Sequence, residues 1–279
     1  MARREELLGI FNDTEAKYRN NRMLQESIKS SIAKTVLYRE SDYPEIKNKK
    51  EDTKVSVNKY RTIESAQYYK RKHPNWKVGV LNFASATNPG GGVRRGSSAQ
   101  EECICRVSTL LPVLETEDNI KDYYQYHKDR NDIRYTDRII YTPDITVFKV
   151  DGDRPVIIPE EKWIDIDVIT CAAPNLRPIP NNFMNPGRDK AVTMSDTELY
   201  KLHKKRISHI LAVASANNVE VLILGAFGSG AFNNNPEVVA QAYKDVLKDY
   251  IGHFKEVTFS VYCPLGKKEN YEVYKKVFG

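Results

Sequence analysis

Apolar and polar positions alternate along this chain in two rhythms. Near-continuous apolar runs over residues 77–83, 164–171 and 219–224 have the pattern of strands buried on both faces. Residues 257–262 predict a further strand, and shorter extended pieces are expected at 33–38, 55–57, 139–141 and 145–150. Between these, apolar residues recur at helical spacing. Leu7, Leu8, Ile10 and Phe11 begin a stripe that predicts one helix over 1–32. Thr62 is the expected cap of a helix to about residue 72, with Glu64 in its first turn. Ile104, Val107, Leu110 and Leu111 form the inward face of a helix expected over 99–114. Ser195 is the expected cap of a long helix to about 216, and further helices are expected over 236–250 and from 268. A polar segment containing Tyr123, Tyr124 and Tyr126 and a proline- and asparagine-rich loop over 176–188 carry neither rhythm.

Strand and helix alternate from about residue 55 onward, which predicts an α/β sandwich around a largely parallel or mixed sheet. The length of 279 residues suits one large domain or two small ones, and 41% hydrophobic residues can supply its core. No apolar run approaches the roughly 20 residues of a membrane span. The basic N-terminus leads into no uninterrupted apolar stretch, so no signal peptide is expected. Cys103, Cys105, Cys171 and Cys263 show no zinc-type spacing, and five histidines do not complete one. Free thiols in a reducing cytoplasm, and no metal, are the expectation. Cys103 and Cys105 lie two apart on a helix and are expected to pack on different faces. The net charge of +6 suits an anionic ligand without by itself implying nucleic acid.

The chemistry concentrates where buried strands end. Residues 77–83 lead into Asn88, Pro89 and the triplet Gly90-Gly91-Gly92, followed seven residues later by Gln100-Glu101-Glu102. Three consecutive glycines cost backbone entropy, and close approach of a diphosphate would justify them. A flexible surface loop is the bland alternative. Residues 219–224 lead into Gly225-Ala226-Phe227-Gly228-Ser229-Gly230-Ala231-Phe232, with Asn235 as a helix cap and Pro236 at the first helical position. Helix N-termini bind phosphate through free N–H groups, although a tight strand-to-helix turn needs the same glycines. The spacing matches neither a dinucleotide fingerprint nor a P-loop.

Glu101 and Glu102 open a helix on which neighbours are offset by about 100°. They cannot both address one bond, so one is expected in the cleft and the other behind it or in solvent. Acidic residues also favour a first helical turn for electrostatic reasons alone. Asn82, at the end of a buried strand, needs a partner, which could be a ribose hydroxyl or loop backbone. Phe227 and Phe232 could pack on ribose or adenine, and Phe227 could equally plug the loop onto the core.

At these residues the chain resembles the microbial-type, macrodomain-like poly(ADP-ribose) glycohydrolases. Their signature is three glycines, a short spacer and Gln-Glu-Glu, matched by Gly90-Gly91-Gly92 and Gln100-Glu101-Glu102. Residues 80–84, 169–175 and 225–232 also look like this family. The resemblance covers roughly residues 35–279 and implies a three-layer α/β/α macrodomain with a mixed central sheet, preceded by an N-terminal helical extension over residues 1–34. It implies that Glu102 is the catalytic acid/base and Glu101 its supporting neighbour. Asn82, Asn88, the triple glycine, Gln100 and residues 225–232 would form the ligand site, with Phe232 orienting the terminal ribose. Poly(ADP-ribose) or ADP-ribosylated protein would be the substrate and ADP-ribose the product. A cytoplasmic monomer without a cofactor is expected. An ADP-ribose reader without catalysis and a mono-ADP-ribosyl hydrolase share the same motifs and remain open at this stage. Nucleic-acid contact through Tyr123, Tyr124 and Tyr126 is a more distant alternative.

Overall fold

A computed structural model describes residues 2–46, 51–178, 194–264, 266 and 268–279. Most of the loop expected over 176–188 lies outside these described residues. Among the described residues seven strands form a single sheet: β1 (Val36–Tyr38), β2 (Lys54–Asn58), β3 (Val78–Phe83), β4 (Ile139–Val147), β5 (Ile164–Cys171), β6 (Val221–Leu224) and β7 (Glu256–Ser260). Their order is β1-β4-β5-β3-β6-β7-β2. The ladders from β5 through β3, β6 and β7 to β2 are parallel, while β4 runs antiparallel to both β1 and β5. The sheet is therefore mixed, and the C-terminal ends of β3, β5, β6 and β7 share one edge.

Strand residues alternate between two cores, as period-two geometry requires. Val80, Val168, Val221 and Ile223 pack on one face under residues 62–72, 100–114 and 123–124. Leu81, Ile169, Leu222 and Leu224 pack on the other under residues 199–214, 239–247 and 274. This is the expected three-layer α/β/α arrangement.

Several element boundaries differ from expectation. The helix expected over 1–32 is two helices, α1 (Ala2–Asn20) and α2 (Arg22–Lys34). Asn21 divides them, because its side chain accepts the Leu24 N–H at 3.0 Å and offers the backbone an alternative to continuous helix. Helix α3 (Thr62–Lys72) is capped by Arg61 rather than Thr62, and Glu64 accepts the Arg61 N–H at 3.1 Å. The helix expected over 99–114 is α4 (Gln100–Val107) followed by α5 (Leu110–Leu114). Ser108 and Thr109 leave the helix to bond the end of β4, and Pro112 in the first turn of α5 forbids continuity.

The two strands expected over 139–141 and 145–150 are one, β4, with a bulge between Thr142 and Ile145. Helix α2 docks on that bulge, where the Ser31 hydroxyl donates to the Asp144 carbonyl at 2.9 Å. The tyrosine-rich segment is helical over 117–130 and winds as a π-helix over Ile120–Gln125. Its wider turn buries two successive residues, Tyr123 and Tyr124, both with no exposed surface. Those two rings are core, which removes them as nucleic-acid contacts.

Helix α1 joins the core at its functional edge. Arg4 donates to the Arg95 carbonyl at 2.6 Å, and the Thr14 hydroxyl to the Arg106 carbonyl at 2.5 Å. Lys149 donates to the Ile10 carbonyl and Asp13 from below. Deep in the opposite layer, Arg206 is 1% exposed and bonds Asp137 at 2.9 Å, the Ala172 carbonyl at 2.8 Å and the Arg134 carbonyl at 3.1 Å. It holds the segment after β5 to residues 134–137. Truncation leaves a buried carboxylate and carbonyls short of donors, which costs about 3 kcal/mol for pairs of this kind. Urea denaturation of Arg206→Ala is expected to show a loss of that size.

Candidate active site

The loops leaving β3, β5, β6 and β7 enclose a cavity of about 750 Å³, within the range of small-molecule sites. Asn88, Gly91, Gly92, Gln100, Glu101, Glu102, Ala226, Phe227, Gly228, Gly230, Ala231 and Phe232 line it. The structure thus brings the two glycine loops and the acidic turn to one cleft. Asn82, Gly90, Gly225 and Ser229 do not line it.

The first turn of α4 is organised by the loop that precedes it. The Gln100 carboxamide accepts the Phe83 N–H at 2.9 Å and donates to the Leu81 carbonyl at 2.7 Å and Thr62 at 3.0 Å. Glu101 accepts the Ser85 N–H at 2.8 Å and an Asn82 amide hydrogen at 3.3 Å. Asn82 also donates to Thr170 at 3.2 Å, while its own Oδ1 is buried and has no hydrogen-bond partner among the described residues. Glu102 accepts the Gly92 N–H at 2.8 Å through Oε1. Its Oε2 is shielded from solvent and takes no hydrogen bond from the described residues. Both carboxyls reach the cavity, at 3% and 7% exposure, so neither faces bulk solvent.

Their surroundings differ chemically. Burial pushes the Glu101 carboxyl up to about 8, and the adjacent Glu102 adds to the rise against the lowering effect of the Ser85 N–H. Gly91 explains why the triplet must lack side chains. Its φ is +59°, and a Cβ there would stand 2.6 Å from Glu102 Oε1 and 3.0 Å from Glu101 Oε2. Gly228 serves the second loop similarly. With φ +75°, a Cβ there would fall 2.6 Å from the Ala173 side chain. Phe227 is a fully buried plug against Phe83 and His203, whereas Phe232 is half-buried at the rim beside Tyr135.

The cavity also has walls that motif reasoning missed. Arg3, Arg61, Arg95 and Arg177 bring positive charge to it, and Asp151 and Tyr262 contribute from distant segments. Arg61 stacks over the Tyr262 ring at 4.2 Å and donates to its hydroxyl at 3.0 Å. Burial raises Asp151 to about 6 despite the nearby Arg61. Ser85 was within reach of sequence reasoning, since it lies three residues past Asn82 at the strand end. Arg61, Asp151 and Tyr262 carry no local signal. Cys105 is buried packing as expected, but Cys103 is half-buried on the cavity wall beside Arg106. All four cysteines are free. Among the described residues no group of three or more His, Cys, Asp or Glu side chains could hold a metal ion, and no helix is long and apolar enough to cross a membrane.

A carboxyl raised by burial binds its proton more tightly in the native state than unfolded. Stability therefore falls as pH rises from the ordinary 4.5 toward 8. Glu101→Gln mimics the neutral carboxyl and is expected to flatten that decline in denaturation curves recorded between pH 5 and 8.

The family model for the catalytic domain of microbial-type PARG matches residues 5–150, a span that takes in nearly all of α1. Among solved structures, poly(ADP-ribose) glycohydrolase from Thermomonospora curvata is 28% identical, with a TM-score of 0.78, over 91% of this chain and 89% of that one. The enzyme from Deinococcus radiodurans, solved in complex with ADP-ribose, is 26% identical, with a TM-score of 0.76, over 90% and 96% of the two chains. No curated protein is significantly similar in sequence. With the glycine loops and the acidic turn gathered in one cleft, and with these matches over most of its length, the chain belongs to the microbial-type poly(ADP-ribose) glycohydrolases, which are glycoside hydrolases.

Proposed function

We propose that Glu102 is the general acid and base with which this enzyme hydrolyses the ribose–ribose O-glycosidic bonds of poly(ADP-ribose). The carrying observation is the division of labour within its carboxyl, on a residue that lines the cavity: Gly92 fixes Oε1, and the shielded Oε2 has no hydrogen-bond partner among the described residues. A solved relative holds ADP-ribose and another holds the inhibitor ADP-HPD, which supports an ADP-ribosyl unit as the occupant here. The backbone of residues 225–232 and the triple-glycine loop would cradle its diphosphate and terminal ribose. Phe232 would orient that ribose. Arg3, Arg61, Arg95 and Arg177 favour an anionic substrate at the mouth.

In the reaction, the bond between the anomeric carbon and the 2′-oxygen of the next unit breaks. The Glu102 carboxyl gives its proton to that oxygen. The oxocarbenium-like ribose is stabilised by the substrate's own diphosphate. Water then adds to the anomeric carbon, and its proton returns to Glu102. General acid–base steps of this type contribute about 10²–10⁴-fold. Glu101 is unsuited to act as a covalent nucleophile. Both its oxygens are engaged, and burial raises its pKa to about 8, which disfavours the bare carboxylate a nucleophile needs. Its role here is to hold Ser85 and Asn82 against the acidic turn.

Glu102→Gln is expected to lower ADP-ribose release from polymer by at least about 10³-fold while calorimetry shows ADP-ribose binding within about threefold of wild type. Undiminished release would remove Glu102 from the chemistry. Gly91→Ala is expected to displace both carboxyls, and a misplacement near 1 Å costs about 10²-fold in kcat. Steady-state kinetics on polymer, with thermal melting to confirm folding, measures it.

A further inference from the structure

A second cavity of about 430 Å³ adjoins the first. The two share Asn88, whose carbonyl accepts the Gly91 N–H at 3.0 Å in the loop that anchors Glu102. On the other side, Tyr135 lines the second cavity and lies 6.2 Å from the ring of Phe232, which lines the first. The second cavity thus adjoins the first beside Asn88 and Phe232, and Arg61 and Tyr262 do not line it; in the function proposed above, Phe232 marks the ribose end. Resting on the function proposed above, the direction of the polymer is fixed at this point. The unit being released fills the first cavity, and the leaving 2′-oxygen carries the rest of the chain past Asn88.

We infer that the second cavity is a subsite for the adenosine of the leaving ADP-ribosyl unit, held by Tyr135, Lys128 and the amide and hydroxyl groups of Thr87, Asn88 and Asn175. Tyr135 is a built feature. It sits at φ +55°, a conformation costly for an aromatic residue, and its ring packs 5.8 Å from that of buried His127. His127 is locked between the Tyr123 carbonyl at 2.7 Å and Thr136 at 2.9 Å. Asn131, at φ +46°, ends the helix that carries Lys128 and turns the chain toward this ring. An aromatic face supplies base stacking, and Lys128 supplies a cation for the diphosphate that follows. Occupancy of this subsite would favour polymer over a lone ADP-ribosyl group on a protein.

The test uses the full chain with Tyr135→Asn, which tolerates the left-handed backbone, and Lys128→Glu, with Lys128→Arg as the conservative control. Stacking of one base predicts a KM for poly(ADP-ribose) raised about tenfold in Tyr135→Asn. Lys128→Glu should raise it about threefold, an effect that fades with added salt, and Lys128→Arg should behave as wild type. Affinity for free ADP-ribose, measured by calorimetry, should stay within about twofold in all three. An unchanged KM in Tyr135→Asn and Lys128→Glu overturns the subsite. An ADP-ribose affinity weakened as much as KM also overturns it, since the residues would then serve the first cavity. A wild-type enzyme that binds ADP-ribose yet releases none from polymer would bring down the functional reading itself, and the subsite with it.

Discussion

Three consecutive side chains in the first turn of α4 are hydrogen-bonded to the backbone that precedes them. Gln100 takes the Phe83 N–H, Glu101 that of Ser85 and Glu102 that of Gly92. The loop between β3 and α4 is thereby fastened along its length to the helix it leads into. Loop backbone buried at a ligand site must find partners. Here the groups that satisfy it are the same groups that line the cavity. Shape and chemistry are therefore set by one set of bonds, and the glycines are what allow the loop to come close enough to make them.

The same arrangement separates two carboxyls that are adjacent in sequence. Glu101 sits deeper, between a strand-end asparagine and a loop N–H, and burial raises its pKa well above the ordinary carboxylate range. Glu102 is tied through one oxygen only. Pairs of acids with different environments are a common way to obtain distinct roles from identical side chains. In this protein the difference arises from the helical offset, which turns one residue toward the sheet edge and the next toward the glycine triplet.

The layered fold and the positions of the two glycine loops could be read from the chain because they depend on local patterns. Apolar runs mark strands buried on both faces, and glycine marks where the chain must turn tightly after them. What could not be read depends on contacts between distant segments. Arg61 and Tyr262 meet across most of the sequence, and Asp151 joins them from the middle. Phe227 needed its neighbours Phe83 and His203 to be identified as a plug. Asn82 is legible in the chain as a polar group in need of partners, but only the fold shows that its amide donates to Glu101 and Thr170. Pro112 and the Ser108-Thr109 pair announced a helix break inside 99–114, and Asn21 announced one in the first 34 residues. The π-helix had no such signature, since nothing in Ile120–Gln125 distinguishes a wide turn from a narrow one.

The position of β2 at the sheet border has a kinetic implication. Among the described residues its one ladder is with β7, about 200 residues further along the chain. On a ribosome, Val55 and Val57 would emerge and wait for about 200 more residues to be made before their hydrogen-bonding mate exists. Such a long-range closure slows folding and leaves a sticky border open in the meantime. Lys54 at the head of that strand, and Lys59 just past its end, are charges of the kind that discourage premature pairing with another molecule.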